Sequence, residues 1–192
     1  MKIVHTQRGI IIEAFDNKPA TYDAYVTYDK VVRPFEENKL RVLDSAFMIE
    51  GNLDTIISYY FFGRNIPETK EKSEKFKTFI LSSDWCSFSA KRKLIIHIIN
   101  EMNLLKGAEK NDYESLLRKT MSYRNAFAHE VMSTNGEIAK LKFYEGGTKI
   151  KTIDDNYLNE IEKDLNLAFE MTMKIAIQIG AIVPHNENGE IL

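Results

Sequence analysis

Apolar residues return at helical spacing in four stretches of this chain and at alternating spacing in one. The first stretch, residues 35–62, sets Leu43, Phe47, Ile57 and Phe61 on a four-three repeat and predicts one long helix. Glu50 and Asp54 fall in the same seam, where carboxylates are uncommon. Residues 63–73 are polar, contain Pro67 and read as a loop, with a shorter helix over 74–81. Ser87 or Ser89 suits the N-cap of the next helix. Its buried face is marked by Leu94, Ile95, Ile98, Ile99, Met102 and Leu105, and Gly107 is its natural stop. Asn111 or Asp112 then opens a helix striped by Tyr113, Leu116, Leu117, Met121, Phe127, Ala128 and Val131. The last helix starts at Asp154 or Asp155, buries Leu158, Ile161, Leu165, Ala168, Thr172, Ile175 and Ile179, and ends at Gly180.

The period changes after Asn135-Gly136. Ala139, Leu141 and Phe143 alternate with Lys140 and Lys142, Glu145-Gly146-Gly147 makes a turn, and residues 148–153 return as a second strand. In the first 35 residues, Ile3-Val4, Ile10 to Ile12 and Ala24 to Tyr28 read as short strands or an extended arm, with a turn at Asp16-Asn17-Lys18-Pro19. The expected architecture is all-α: an antiparallel bundle of four or five helices with an inserted β-hairpin near 137–153. Residues 1–35 form an N-terminal arm, 36–182 the bundle and 183–192 a polar tail.

A chain of 192 residues with 44% hydrophobic and 28% charged content supports one sizeable core. The net charge of −2 does not mark a nucleic-acid binder, so any anionic ligand must be held by a local patch. Cys86 is the one cysteine, which excludes a disulfide framework and a cysteine metal cluster and fits a cytoplasmic setting. His5, His97, His129 and His185 show no metal-ligand spacing, so neither metal nor cofactor is expected. No apolar run reaches membrane length without charges. His97 falls off the apolar face of its helix and reads as a surface or interface residue, whereas Trp85-Cys86 reads as buried packing.

One position conflicts with its surroundings. Arg124 lies within the apolar stripe of the 113–131 helix, while Asn125 and His129, four apart, share an adjoining face with Ser122. A guanidinium stays charged and is costly to bury without a partner. Glu50 and Asp54 are the candidate partners, either pairing Arg124 inside the fold or lining a cleft. Lys140, Lys142, Lys149 and Lys151 on the hairpin have two readings: contacts to an RNA backbone, or solubilising charges on an exposed hairpin.

The run Arg124-Asn125-Ala126-Phe127-Ala128-His129 resembles the Arg-x4–6-His motif of HEPN domains, in its Arg-Asn-x-x-Ala-His form. The resemblance extends in element order over about residues 36–180. The phrase Phe88-Ser89-Ala90-Lys91-Arg92-Lys93-Leu94 is similar to one found in the mannitol-repressor-like branch of such bundles. The resemblance implies a helical bundle that pairs as a homodimer, so that two motifs face one cleft. It implies metal-independent RNA cleavage in which His129 transfers protons, Arg124 braces phosphate and Asn125 orients His129 or a phosphate oxygen. The implied setting is a toxin or phage-defence factor with RNA as substrate and an antitoxin or other protein as partner. Toxins partnered by a nucleotidyltransferase antitoxin commonly carry a tyrosine two residues after the histidine, and Val131 stands there. The alternative is a non-catalytic interaction or regulatory module. The nuclease reading requires Arg124 and His129 to be open to solvent; the regulatory reading lets them be sealed.

Overall fold

A computed structural model describes the backbone of residues 2–5, 11–14, 28–64, 66–84, 86–129, 131–134, 139–144 and 148–183. Side chains are described for 30–64, 66–84, 86–129, 139–141 and 150–183. The turn expected at Asp16 to Pro19, most of the 24–28 stretch, the 145–147 turn, Trp85 and the tail from residue 184 lie outside these residues. The elements are β1 (Lys2–His5), β2 (Ile11–Ala14), α1 (Arg33–Phe62), α2 (Pro67–Phe76), α3 (Phe88–Met102), α4 (Gly107–His129), β3 (Val131–Thr134), β4 (Ala139–Tyr144), β5 (Thr148–Ile153) and α5 (Asp155–Gln178). A π-type turn, Tyr28–Val32, leads into α1, and another, Lys77–Leu81, continues α2. The protein is mostly helical.

The chain forms two compact units. Unit one comprises Met1–Asp44 and Ser122–Lys163; unit two comprises Ser45–Met121 and Asp164–Leu192. In unit one the described strands form a five-stranded sheet in the order β1-β2-β3-β4-β5. The expected hairpin is β4–β5, paired from Ala139 with Ile153 to Tyr144 with Thr148. It is joined by β3, and then by two strands from the N-terminal arm. β2 runs parallel to β3, with Ile11 opposite Ser133. That pairing joins segments far apart in the chain, and the four residues of β3 are too few to show an alternation of their own. Phe35 and Phe127 stack at 5.9 Å in the core of this unit, alongside buried Tyr123, Ala126 and Leu141.

Several boundaries differ from those expected. The polar stretch 63–73 is not a loop throughout, because α2 begins at Pro67, a residue whose fixed φ suits the first helical position. α2 buries no residue, so it has no apolar stripe to read. α3 ends at Met102 rather than near Leu105, capped by Asn103 in the left-handed conformation. Gly107 is accordingly the first residue of α4, which starts before Asn111. Two expected caps are present: Ser87 Oγ accepts the Ala90 N–H at 3.4 Å, and Asp154 Oδ1 accepts that of Tyr157 at 2.8 Å.

Two buried seams are also rotated. In α1 the buried line is Val42, Ala46, Ile49, Leu53 and Ile56, all apolar, whereas Phe47 and Phe61 are exposed. The Phe47–Phe61 repeat competed with a neighbouring repeat of the same period that contains no charge, and burial favours the uncharged one. Glu50 and Asp54 therefore flank the seam. In α4 the buried line is Tyr113, Leu117, Thr120, Tyr123 and Phe127; Leu116 and Met121 are half-buried and Ala128 is exposed.

In unit two, Tyr113 of α4 and Thr172 of α5 meet in the core, Oη to Oγ1, at 2.9 Å, and Thr172 Oγ1 donates to the Ala168 carbonyl. The expected stripe of α5 is buried from Ile161 to Ile179, with Leu158 half-buried. Gly180 follows at φ +80°, a backbone conformation that favours glycine, and a Cβ there would lie 3.0 Å from Tyr59 Oη, which would have to shift by a few tenths of an ångström. Among the described residues no helix is long and apolar enough to cross a membrane.

Candidate functional site

The motif lies at the end of α4, in unit one. Regular helix continues to His129 and gives way one residue later to β3. Asn125 and His129 occupy positions one turn apart and both are exposed; Arg124, between the exposed and buried faces, is half-buried. Arg124 Nη1 donates to Asn125 Oδ1 at 3.4 Å, a long bond that ties two motif side chains together. The motif thus offers solvent an imidazole, a carboxamide and part of a guanidinium. An imidazole can exchange protons, and a guanidinium can hold phosphate oxygens with parallel hydrogen bonds.

Tyr123, one residue before Arg124, is buried and stands edge-on to Tyr157 in the first turn of α5, with ring centroids 6.4 Å apart. Lys151 of β5 holds its Nζ 5.6 Å from the centroid of the Tyr157 ring. Lys140 and Lys151 are both exposed. Pairing of Lys140 with Thr152 and of Leu141 with Lys151 puts the two lysines on opposite faces of the sheet. They do not form one patch. The side chains of Lys142 and Lys149 lie outside the described residues. His97 is exposed, 3.3 Å from Glu101, as expected of a surface residue; His5 and His185 have no described side chain.

Glu50 and Asp54 belong to unit two, and the cation found between them is Lys91 of α3. Lys91 Nζ donates to Glu50 Oε1 at 2.8 Å and to Asp54 Oδ2 at 2.9 Å, and it also lies 2.9 Å from Asp54 Oδ1. The lysine is almost wholly buried at 3% exposure, while the carboxylates keep some access to water. Burial works to lower the Lys91 pKa, but its hydrogen bonds to Glu50 and Asp54, with their negative charges, outweigh burial and hold the pKa above the usual lysine value. Asp54 moves upward too. Burial is the main cause; the neighbouring Glu50 adds to it, and Lys91 only partly offsets both. These directions are compatible because one ammonium is shared by two carboxylates. Burial also pushes the Cys86 thiol up, so this cysteine is no activated nucleophile. A signal for Lys91 did exist in the sequence: extending the Ile98–Ile95 seam of α3 back by four residues lands on it, and then on buried Phe88.

Among the described residues no set of three His, Cys, Asp or Glu side chains gathers as a metal site. No family model, curated protein or solved structure matches this chain.

Proposed function

We propose that this protein is an HEPN-type endoribonuclease that cuts RNA without a metal, working in the cytoplasm as a homodimer in a toxin or phage-defence role. The observation that carries this reading is the exposure of Asn125 and His129, one turn apart at the end of α4, with Arg124 bonded to Asn125. In the reaction the RNA 2′-oxygen attacks the adjacent phosphorus as its proton passes to one imidazole. The bond to the 5′-oxygen breaks as that oxygen takes a proton from a second imidazolium, leaving a 2′,3′-cyclic phosphate and a 5′-hydroxyl. Arg124 holds the crowded phosphate oxygens, and Asn125 orients the arginine or the phosphate. Each chain has one such histidine, so the second comes from another copy.

The half-burial of Arg124 favours a second reading, a non-catalytic interaction module in which the arginine fixes local packing. Incubation of the purified protein with single-stranded RNA in EDTA separates the two. Cleavage to cyclic phosphate ends, falling about 100-fold or more in a folded His129→Ala protein, supports the nuclease. Absence of cleavage by the wild type, or undiminished cleavage by the variant, overturns it.

A further inference from the structure

The two exposed hairpin lysines stand in different surroundings. Lys140 lies on the face of the sheet opposite to buried Leu141, paired with exposed Thr152. Lys151 pairs with Leu141 itself, so it stands on the core-facing side of the edge strand, yet it is exposed. Its ammonium lies over the Tyr157 ring, 5.6 Å from the centroid. A lysine ammonium usually ranges over many rotamers, and losing that freedom is unfavourable. Here the face of the ring attracts it and favours one arrangement. The ring is fixed in turn by its place in the first turn of α5, whose backbone Asp154 caps, and by the edge-on contact with Tyr123. Tyr123 immediately precedes Arg124. Within one unit, then, Lys151 of β5, Tyr157 of α5 and Tyr123 of α4 lie in succession, and the last of them is the residue before Arg124.

The geometry points to Lys151 as a backbone-phosphate contact for single-stranded RNA at this site, with Tyr157 as the residue that positions it. The inference rests on the ribonuclease reading and deepens it by saying which cation carries the strand. Lysine serves here as a point charge that holds phosphate without reading sequence. A bare solubilising role would treat Lys140 and Lys151 alike, because both are exposed lysines of one hairpin.

The test uses the full chain and a short single-stranded RNA with 2′-O-methyl riboses, which binds but offers no attacking hydroxyl. Affinity is measured by fluorescence anisotropy over a series of salt concentrations. Lys151→Gln keeps a polar side chain opposite Leu141 and removes the charge. It should reduce the slope of log affinity against log salt by about 0.7, the share of one phosphate contact on a single strand. Lys140→Gln should leave the slope unchanged. Tyr157→Leu keeps apolar bulk and removes the ring face, so it should weaken binding of wild-type Lys151 and have no further effect in Lys151→Gln. Should Lys151→Gln lose its fold, Lys151→Met provides the test, since it keeps a long apolar side chain, removes the charge and should lower the slope by the same amount. An unchanged slope in Lys151→Gln, or an equal loss in Lys140→Gln, overturns this inference and leaves RNA cleavage standing. If the wild type binds no RNA, both fall.

Discussion

Replacing Lys91 with methionine tests whether the buried charge cluster holds unit two together. The substitution keeps a long apolar side chain in place and removes one ammonium. What is lost is the donor 2.8 Å from Glu50 Oε1 and 2.9 Å from Asp54 Oδ2. Two carboxylates one turn apart on α1 then face each other without it, and the charge of Glu50 already pushes the Asp54 pKa upward. Removing one partner of a fully buried pair costs about 3–5 kcal/mol. The carboxylates keep 17% and 19% of their side-chain exposure, so water relieves part of the effect and the lower end, about 3 kcal/mol, is expected. For a chain of this length that lowers the melting temperature by roughly 6–12 °C. Urea denaturation followed by circular dichroism gives the free energy. A double-mutant cycle with Asp54→Asn isolates the pair and should show coupling of about 1 kcal/mol or more. A Lys91→Met protein that unfolds within about 0.5 kcal/mol of wild type, or a cycle with no coupling, would refute the reasoning.

The same cluster predicts pH behaviour. The folded chain holds the Asp54 proton more tightly than the unfolded chain, whose carboxyl has the usual 3.8, so its contribution is present below 3.8 and is lost as pH rises through the lifted value. Asp54→Asn should therefore gain stability relative to wild type between 3.8 and neutrality; a difference that stays flat across acid denaturation curves contradicts this. For Lys91 the contribution is complete below 10.5 and disappears as pH rises through its raised value, so the penalty of Lys91→Met should shrink on the alkaline side. In the core, Thr172 Oγ1 spends its proton on the Ala168 carbonyl, so the Tyr113 hydroxyl is the donor in their contact. Tyr113→Phe removes that donor and should cost about 1 kcal/mol, whereas Thr172→Val strands a buried hydroxyl and should cost about 1–3 kcal/mol. Equal losses by thermal melting would show that the hydroxyl finds another partner.

The stripe of α5, the Ser87 cap and the β4–β5 alternation were legible in the sequence because each depends on neighbours within a few residues, and local periodicity records such relations. The sequence alone also located the Arg124–Asn125–His129 motif near a helix end. It did not determine which of two overlapping repeats in α1 is buried. Leu43 and Val42 begin seams of the same period, and the choice depends on what packs against the helix. The partner of Glu50 and Asp54 lies 41 and 37 residues away on α3, and no pattern within α1 names it. Likewise the parallel pairing of β2 with β3, and the placement of Lys140 and Lys151 on opposite faces, come from sheet register. Helices and turns are set by short-range hydrogen bonding and are written locally. Charge pairing, seam choice and strand neighbours are set by contacts between distant segments, and these exist only once the chain has folded.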